Sequence, residues 1–109
     1  MSRYHTTVEA RIVAQAFSQA GTSLALDDED VCLFFGYDYP LALYFLDVED
    51  GDAYYEFAYG GRPKCVAFMP GTRLSRGQML AVVQAILAEG TTCERLRAFQ
   101  DAICMDLPV

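Results

Sequence analysis

Tryptophan is absent from the 109 residues and histidine occurs once, as His5. A Ser–His or Cys–His nucleophilic pair has only that base to draw on, in a stretch that reads as a frayed terminus. The four cysteines, Cys32, Cys65, Cys93 and Cys104, contain no C-x-x-C pair. With one histidine beside them they argue against a zinc site and read as reduced, buried, small apolar side chains. Neither G-x-x-x-x-G-K-[ST] nor G-x-G-x-x-G occurs, so no phosphate cradle is written in the chain. No run approaches the roughly 18 apolar residues that cross a bilayer. The opening "MSRYHTTVEAR" has charge but no apolar segment behind it, so no signal peptide and a cytoplasmic location are expected.

Basic residues are missing from half of the chain. Between residues 12 and 61 there is no Lys or Arg, yet ten of the fifteen acids lie there. The rest of the chain holds eight basic residues against five acidic ones, so the net charge of −7 comes from one block. Nucleic acids and anionic membranes require positive potential and are poor ligands for such a chain. A basic protein is the partner that long-range steering favours.

What is present is apolar and patterned. Hydrophobic residues make up 53% of a length suited to one domain, residues 1–109, which excludes intrinsic disorder. Residues 6–19 read as a helix, with Thr6 and Glu9 as a capping box and Val8, Ile12, Val13, Ala16 and Phe17 on one face. Gly21 supplies its stop. Five strand signals follow: "SLAL", "VCLFF", "LALYFLDV", "AYYEFAY" and "KCVAFM". "DDED" and "EDGD" separate some of them, and Asp50-Gly51 suits a tight hairpin. Ser75 with Gln78, then Thr91 with Glu94, open two further helices. The expected fold is α+β: an antiparallel meander of about five strands with one N-terminal and two C-terminal helices.

The acids do not read as catalytic. They crowd into turns, where water solvates them, rather than into a cleft that would split their pKa values. Nor does the "EDGD" turn read as a calcium loop. Placing Gly51 at the sixth EF-hand position puts Leu46 at the first and Phe57 at the twelfth, and neither can ligate. No cofactor, metal or enzymatic activity is expected. Residues 47–61 instead combine five carboxylates with four aromatics. Tyrosine gives large contact area with a polar tip, so an aromatic sheet rimmed by acid is expected to bind a basic protein. The candidate contacts are Asp27, Asp28, Asp30, Tyr44, Asp50, Asp52, Tyr54 and Glu56. On "AYYEFAY", Tyr55, Phe57 and Tyr59 are expected to face the core and Tyr54, Glu56 and Ala58 to be half exposed.

The order "FSQAG", "SLALDDEDVCLFF", "LALYFLDVEDGDAYYEFAYGG" resembles the N-terminal half of small acidic type III secretion chaperones. The resemblance covers residues 8–61. It implies a cytosolic, non-catalytic homodimer that holds the N-terminal segment of a secreted effector extended along a sheet. It also implies that Leu24, Leu26, Val31, Leu33 and Phe35 line an apolar groove. An immunity protein or inhibitor that neutralises a basic toxin or nuclease is the alternative expectation, since charge complementarity alone serves that role.

Overall fold

The computed structural model describes residues 2–61, 73–89 and 93–107. Among them lie β1 (Ser2–Glu9), α1 (Ala10–Gln19), β2 (Asp30–Asp38), β3 (Leu43–Asp50), β4 (Ala53–Gly60), α2 (Arg76–Ala88) and α3 (Glu94–Met105). The strands form one antiparallel sheet in the order β1-β2-β3-β4. The class is α+β, with four described strands in place of about five. The expected strand "KCVAFM" lies outside the described residues.

The N-terminal segment is the main correction. Residues 6–9 belong to a strand, not to the first helix, and His5 is paired rather than frayed. Thr6 stands opposite Leu33, Val8 opposite Val31 and Glu9 opposite Asp30. Thr6, Thr7 and Val8 are β-branched and fit a pleated, half-buried surface. Their cross-strand partners outweigh a local capping signal, because helix propensity is a weak prior against tertiary pairing. α1 therefore starts at Ala10, and the Glu9 side chain caps nothing. The Ala10 N–H donates instead to the Glu29 carbonyl at 2.7 Å.

"SLAL" is likewise not a strand. Residues 22–27 carry no regular structure, and Leu24 and Leu26 lie half-buried against the core. Other local signals act as expected. Gly21 follows α1 at φ +90, and Asp50 pairs with Ala53 across a two-residue turn. Ser75 Oγ accepts from the Gln78 N–H at 3.1 Å while Gln78 Oε1 accepts from the Ser75 N–H at 2.8 Å. Thr91 lies outside the described residues, and α3 starts after Cys93 with no side-chain cap.

Register divides the sheet into two faces. Tyr4, Phe35, Leu46 and Phe57 form one cross-strand row, and Thr6, Leu33, Val48 and Tyr55 form the next. This inner face lies under the helices. Phe17 of α1 meets Phe57 at 4.5 Å, and Phe99 of α3 meets Phe35 at 5.4 Å. Val13, Phe17, Met79, Val82, Ile86, Leu96 and Phe99 complete a core with no exposed surface. Fully burying side chains of this size contributes about 1.5–3 kcal/mol each before entropy is counted.

A row of tyrosines ends the inner face. Tyr37, Tyr44 and Tyr59 are cross-strand neighbours, with ring centroids 4.9 Å apart for the first pair and 5.7 Å for the second. Tyr44 Oη donates to the Leu107 carbonyl at 2.7 Å, beyond the end of α3. The last carbonyls of a helix have no partner within it. Arg76 serves the same helix end, with Nε donating to the Ile103 carbonyl at 3.2 Å and Nη2 to that of Cys104.

Candidate functional site

Two surfaces concentrate groups that the core does not consume. The first is the acidic end of the sheet. Asp50 is 5% exposed at the end of β3. Its Oδ2 accepts from the Asp27 N–H at 2.8 Å, and its Oδ1 accepts from the Asp28 N–H at 2.9 Å. The "EDGD" hairpin thereby holds the "DDED" turn, and two acidic stretches of sequence become one surface. Gly51 marks the junction twice. Its φ is +58, and an added Cβ would lie 3.2 Å from Asp28 Oδ2.

Asp27, Asp28, Glu29, Asp30 and Asp52 are all exposed on this end. A cleft of about 480 Å³ beside them is lined by Glu9, Ala10, Arg11, Leu26, Asp28 and Asp30, among others. Arg11 is the one cation of that lining among the described residues, and it is already paired with Glu9 at 2.8 Å. Like charges held this close oppose folding through mutual repulsion. The cost is met at a surface where a cation could enter, with Asp50 buried and hydrogen-bonded as the fastener.

The second surface is the outer face of the sheet. Register places His5, Phe34, Asp47 and Glu56 in one row and Arg3, Gly36, Phe45 and Ala58 in the next. Gly36 has no side chain, and Arg3 reaches across. Its guanidinium lies 4.5 Å from the Phe34 ring centre and 5.9 Å from that of Phe45. Arg3 Nη2 donates to Tyr54 Oη at 2.9 Å, and Tyr54 Oη donates to Asp47 Oδ2 at 2.9 Å. Asp47 is 7% exposed. Burial pushes its carboxyl up to about 6 and the Glu56 charge adds to this, while the Tyr54 hydrogen bond and Arg3 hold it down. Burial also raises the Tyr54 phenol. Cys32, on the same face, has its thiol raised by burial and by Glu49 beside it, which keeps the thiolate scarce.

The expected contact residues separate accordingly. Asp27, Asp28, Asp30 and Asp52 come together on the acidic end, and Tyr54 and Glu56 are exposed on the outer face. Ala58, expected to be half exposed beside them, is fully buried. Asp50 and Tyr44 are not on a free surface. Asp50 is bonded to two backbone N–H groups, and Tyr44, 5% exposed, donates to the Leu107 carbonyl just beyond α3. Burial, with Asp106 nearby, pushes the Tyr44 phenol up to about 12. The groove expected at Leu24, Leu26, Leu33 and Phe35 does not form as a unit. Leu33 and Phe35 have no exposure because the chain's own helices cover them, while Leu24 and Leu26 lie at the edge of the core.

Arg3, Phe34, Phe45 and Asp47 were not among the expected contacts. The signal for Asp47 is in "LALYFLDVE", where Leu43, Phe45, Asp47 and Glu49 share one face and pass from apolar to acidic. No local signal places Arg3, because its position depends on β1 pairing with β2. Among the described residues no group of three or more His, Cys, Asp or Glu side chains is placed to hold a metal ion. No helix among them is long and apolar enough to cross a membrane. The chain matches no family of known proteins, no curated protein and no solved structure.

Proposed function

We propose that this chain is a non-catalytic acidic module that binds a basic protein by charge complementarity, in the manner of an immunity protein or inhibitor of a toxin or nuclease. One observation carries the reading. The buried Asp50 carboxylate fastens two acidic turns into a single exposed end, with Asp27, Asp28, Asp30 and Asp52 displayed together. An arrangement that gathers these carboxylates, with no ion pair to any of the four among the described residues, is suited to a complementary surface on another molecule. The partner's lysines and arginines supply the missing cations and are steered in over several ångströms of solvent.

A second reading, a secretion chaperone that holds an extended effector segment, is favoured by the aromatic outer face rather than by Leu33 and Phe35. Exposed Leu41 shares a groove with Phe45 there, and the exposed Tyr54 ring lies 6.4 Å from that of Phe34. A homodimer belongs to that reading.

The test is capture of partners by tagged protein from its source cells at low salt, followed by association kinetics. A basic toxin or nuclease domain, bound one-to-one and released by salt, is the expected result. Asp27→Asn with Asp30→Asn should then slow association and flatten its salt dependence. If neither changes, the acidic end is not the contact. A secreted effector bound through its N-terminal segment supports the chaperone instead.

A further inference from the structure

We propose that the groove on the outer sheet face, between Arg3, Asp38, Leu41, Leu43, Phe45 and Glu56, is a subsite for one arginine or lysine side chain of the basic partner. The inference rests on the reading above and assigns a second, separate place where the partner is held.

The groove has a volume of about 290 Å³ and also reaches Asp47. That is a size for one long side chain rather than for a small-molecule substrate. Its wall is apolar at Leu41, Leu43 and Phe45 and acidic at Asp38, Asp47 and Glu56. Arginine and lysine have the matching construction, an apolar stem with a cationic head. Among the described residues that line it, three carboxylates face one guanidinium, that of Arg3.

Arg3 itself shows what this surface accommodates. Its guanidinium sits over the Phe34 ring and donates to the Tyr54 hydroxyl, combining a cation–π contact with a directed hydrogen bond. That hydroxyl in turn donates to Asp47. Asp47 is nine-tenths buried, which disfavours its charged form, so a second cation in the groove would stabilise its carboxylate.

The wall is fixed before anything binds. Asp38 Oδ1 accepts from the Leu41 N–H at 3.1 Å, and the Gly61 N–H donates to the Ala42 carbonyl at 3.0 Å. Ala42 itself lies at φ +54, an uncommon conformation for a residue with a side chain, and these bonds flank it. From the groove, Leu43, Phe45, Asp47 and Glu49 lead along one face of β3 to the acidic end. At about 3.4 Å per residue the two places are roughly 20 Å apart. One extended segment of the partner spans that distance.

The experiment is an amide NMR titration of the full chain with N-acetyl-arginine methylamide, and with the norleucine analogue as the uncharged stem. The arginine probe should give saturable shifts at Leu43, Phe45, Asp47 and Glu56, at concentrations up to about 50 mM. Asp47→Asn and, separately, the exposed Glu56→Gln should each weaken them at least about fivefold, a change of roughly 1 kcal/mol in affinity. The norleucine probe should bind more weakly. Equal binding of the two probes, or arginine shifts indifferent to both variants, overturns the subsite while leaving the acidic end intact. Shifts confined to residues 27–30 and 52 do the same. Failure of the acidic-end variants to slow partner association, with groove shifts retained, overturns the proposed function and spares the groove.

Discussion

On the inner face of the sheet, Tyr4, Phe35, Leu46 and Phe57 form one cross-strand row, covered by the helices through Phe17 and Phe99. On the outer face the neighbouring row is His5, Phe34, Asp47 and Glu56. The same four strands supply both rows, one residue apart. Inside, each aromatic has a neighbour from a helix and its burial is used for stability. Outside, the aromatics support charge: Arg3 rests on Phe34, and Tyr54 joins Arg3 to Asp47. A large side chain in this sheet therefore has no fixed role. Its strand position assigns it to folding or to recognition.

The sharpest way to break this comparison is to truncate one phenylalanine on each face. Phe35→Ala, at a fully buried site, should destabilise the fold by about 3–5 kcal/mol. Phe34→Ala, half-exposed on the opposite face, should cost clearly less, about 1 kcal/mol. Urea unfolding of both variants measures the difference, and equal losses would mean that the two faces are not distinct. Next in size is Asp50→Ala. It leaves two backbone N–H groups without their acceptor and should cost about 1–3 kcal/mol. Amide exchange at Asp27 and Asp28 should quicken in the same variant. Protection that persists there would show that something other than Asp50 fastens the turns.

Asp47 adds a pH dependence that belongs to the outer face. Its carboxyl rises from 3.8 to about 6 on folding, from burial first and with Glu56 in the same direction. Between those values the folded state binds more proton than the unfolded chain, so this group's contribution to stability falls as pH rises from about 4 to about 6. Asp47→Asn should flatten that slope and stabilise the protein above the window by about 1–2 kcal/mol, allowing for partial solvent screening. Urea melts at about pH 3.5 and pH 8, bracketing the window, test this. An unchanged slope would place the pH dependence elsewhere. A smaller effect is expected of Tyr44→Phe, which removes the hydroxyl bond to the Leu107 carbonyl and should cost about 1 kcal/mol. A Tyr54→Phe variant should be closer to neutral in stability while raising the Asp47 carboxyl further, readable by NMR titration of Asp47.

Much of the fold was legible because it is written in local chemistry. Ser75 and Gln78 cap each other as their spacing requires, Gly21 ends α1, and Asp50-Gly51 makes its hairpin. The apolar alternation of β2 and β4 marks their buried faces. The failures share one cause. Thr6 and Glu9 have the spacing of a capping box, yet they lie in β1 because Leu33 and Asp30 stand opposite them. Leu24 and Leu26 alternate like a strand but find no neighbour to pair with, and they fill the edge of the core instead. Of the candidate site, the acidic turns were legible as composition. That they form one surface was not, because the bonds from Asp27 and Asp28 to Asp50 bridge residues more than twenty apart.

By itself the sequence determined the acidic block, the α+β class, the three strands between residues 30 and 60 with the two helices after them, and most of the turns and caps that punctuate them. These depend on residues within a few positions of one another, where spacing is sufficient information. Only the tertiary structure decided that residues 2–9 are a strand, that Tyr44 serves a helix end, that Leu33 and Phe35 lie beneath helices, and that Arg3, Tyr54 and Asp47 meet. Each of those outcomes depends on which distant segment arrives opposite a residue, and the free energy of that pairing belongs to both partners.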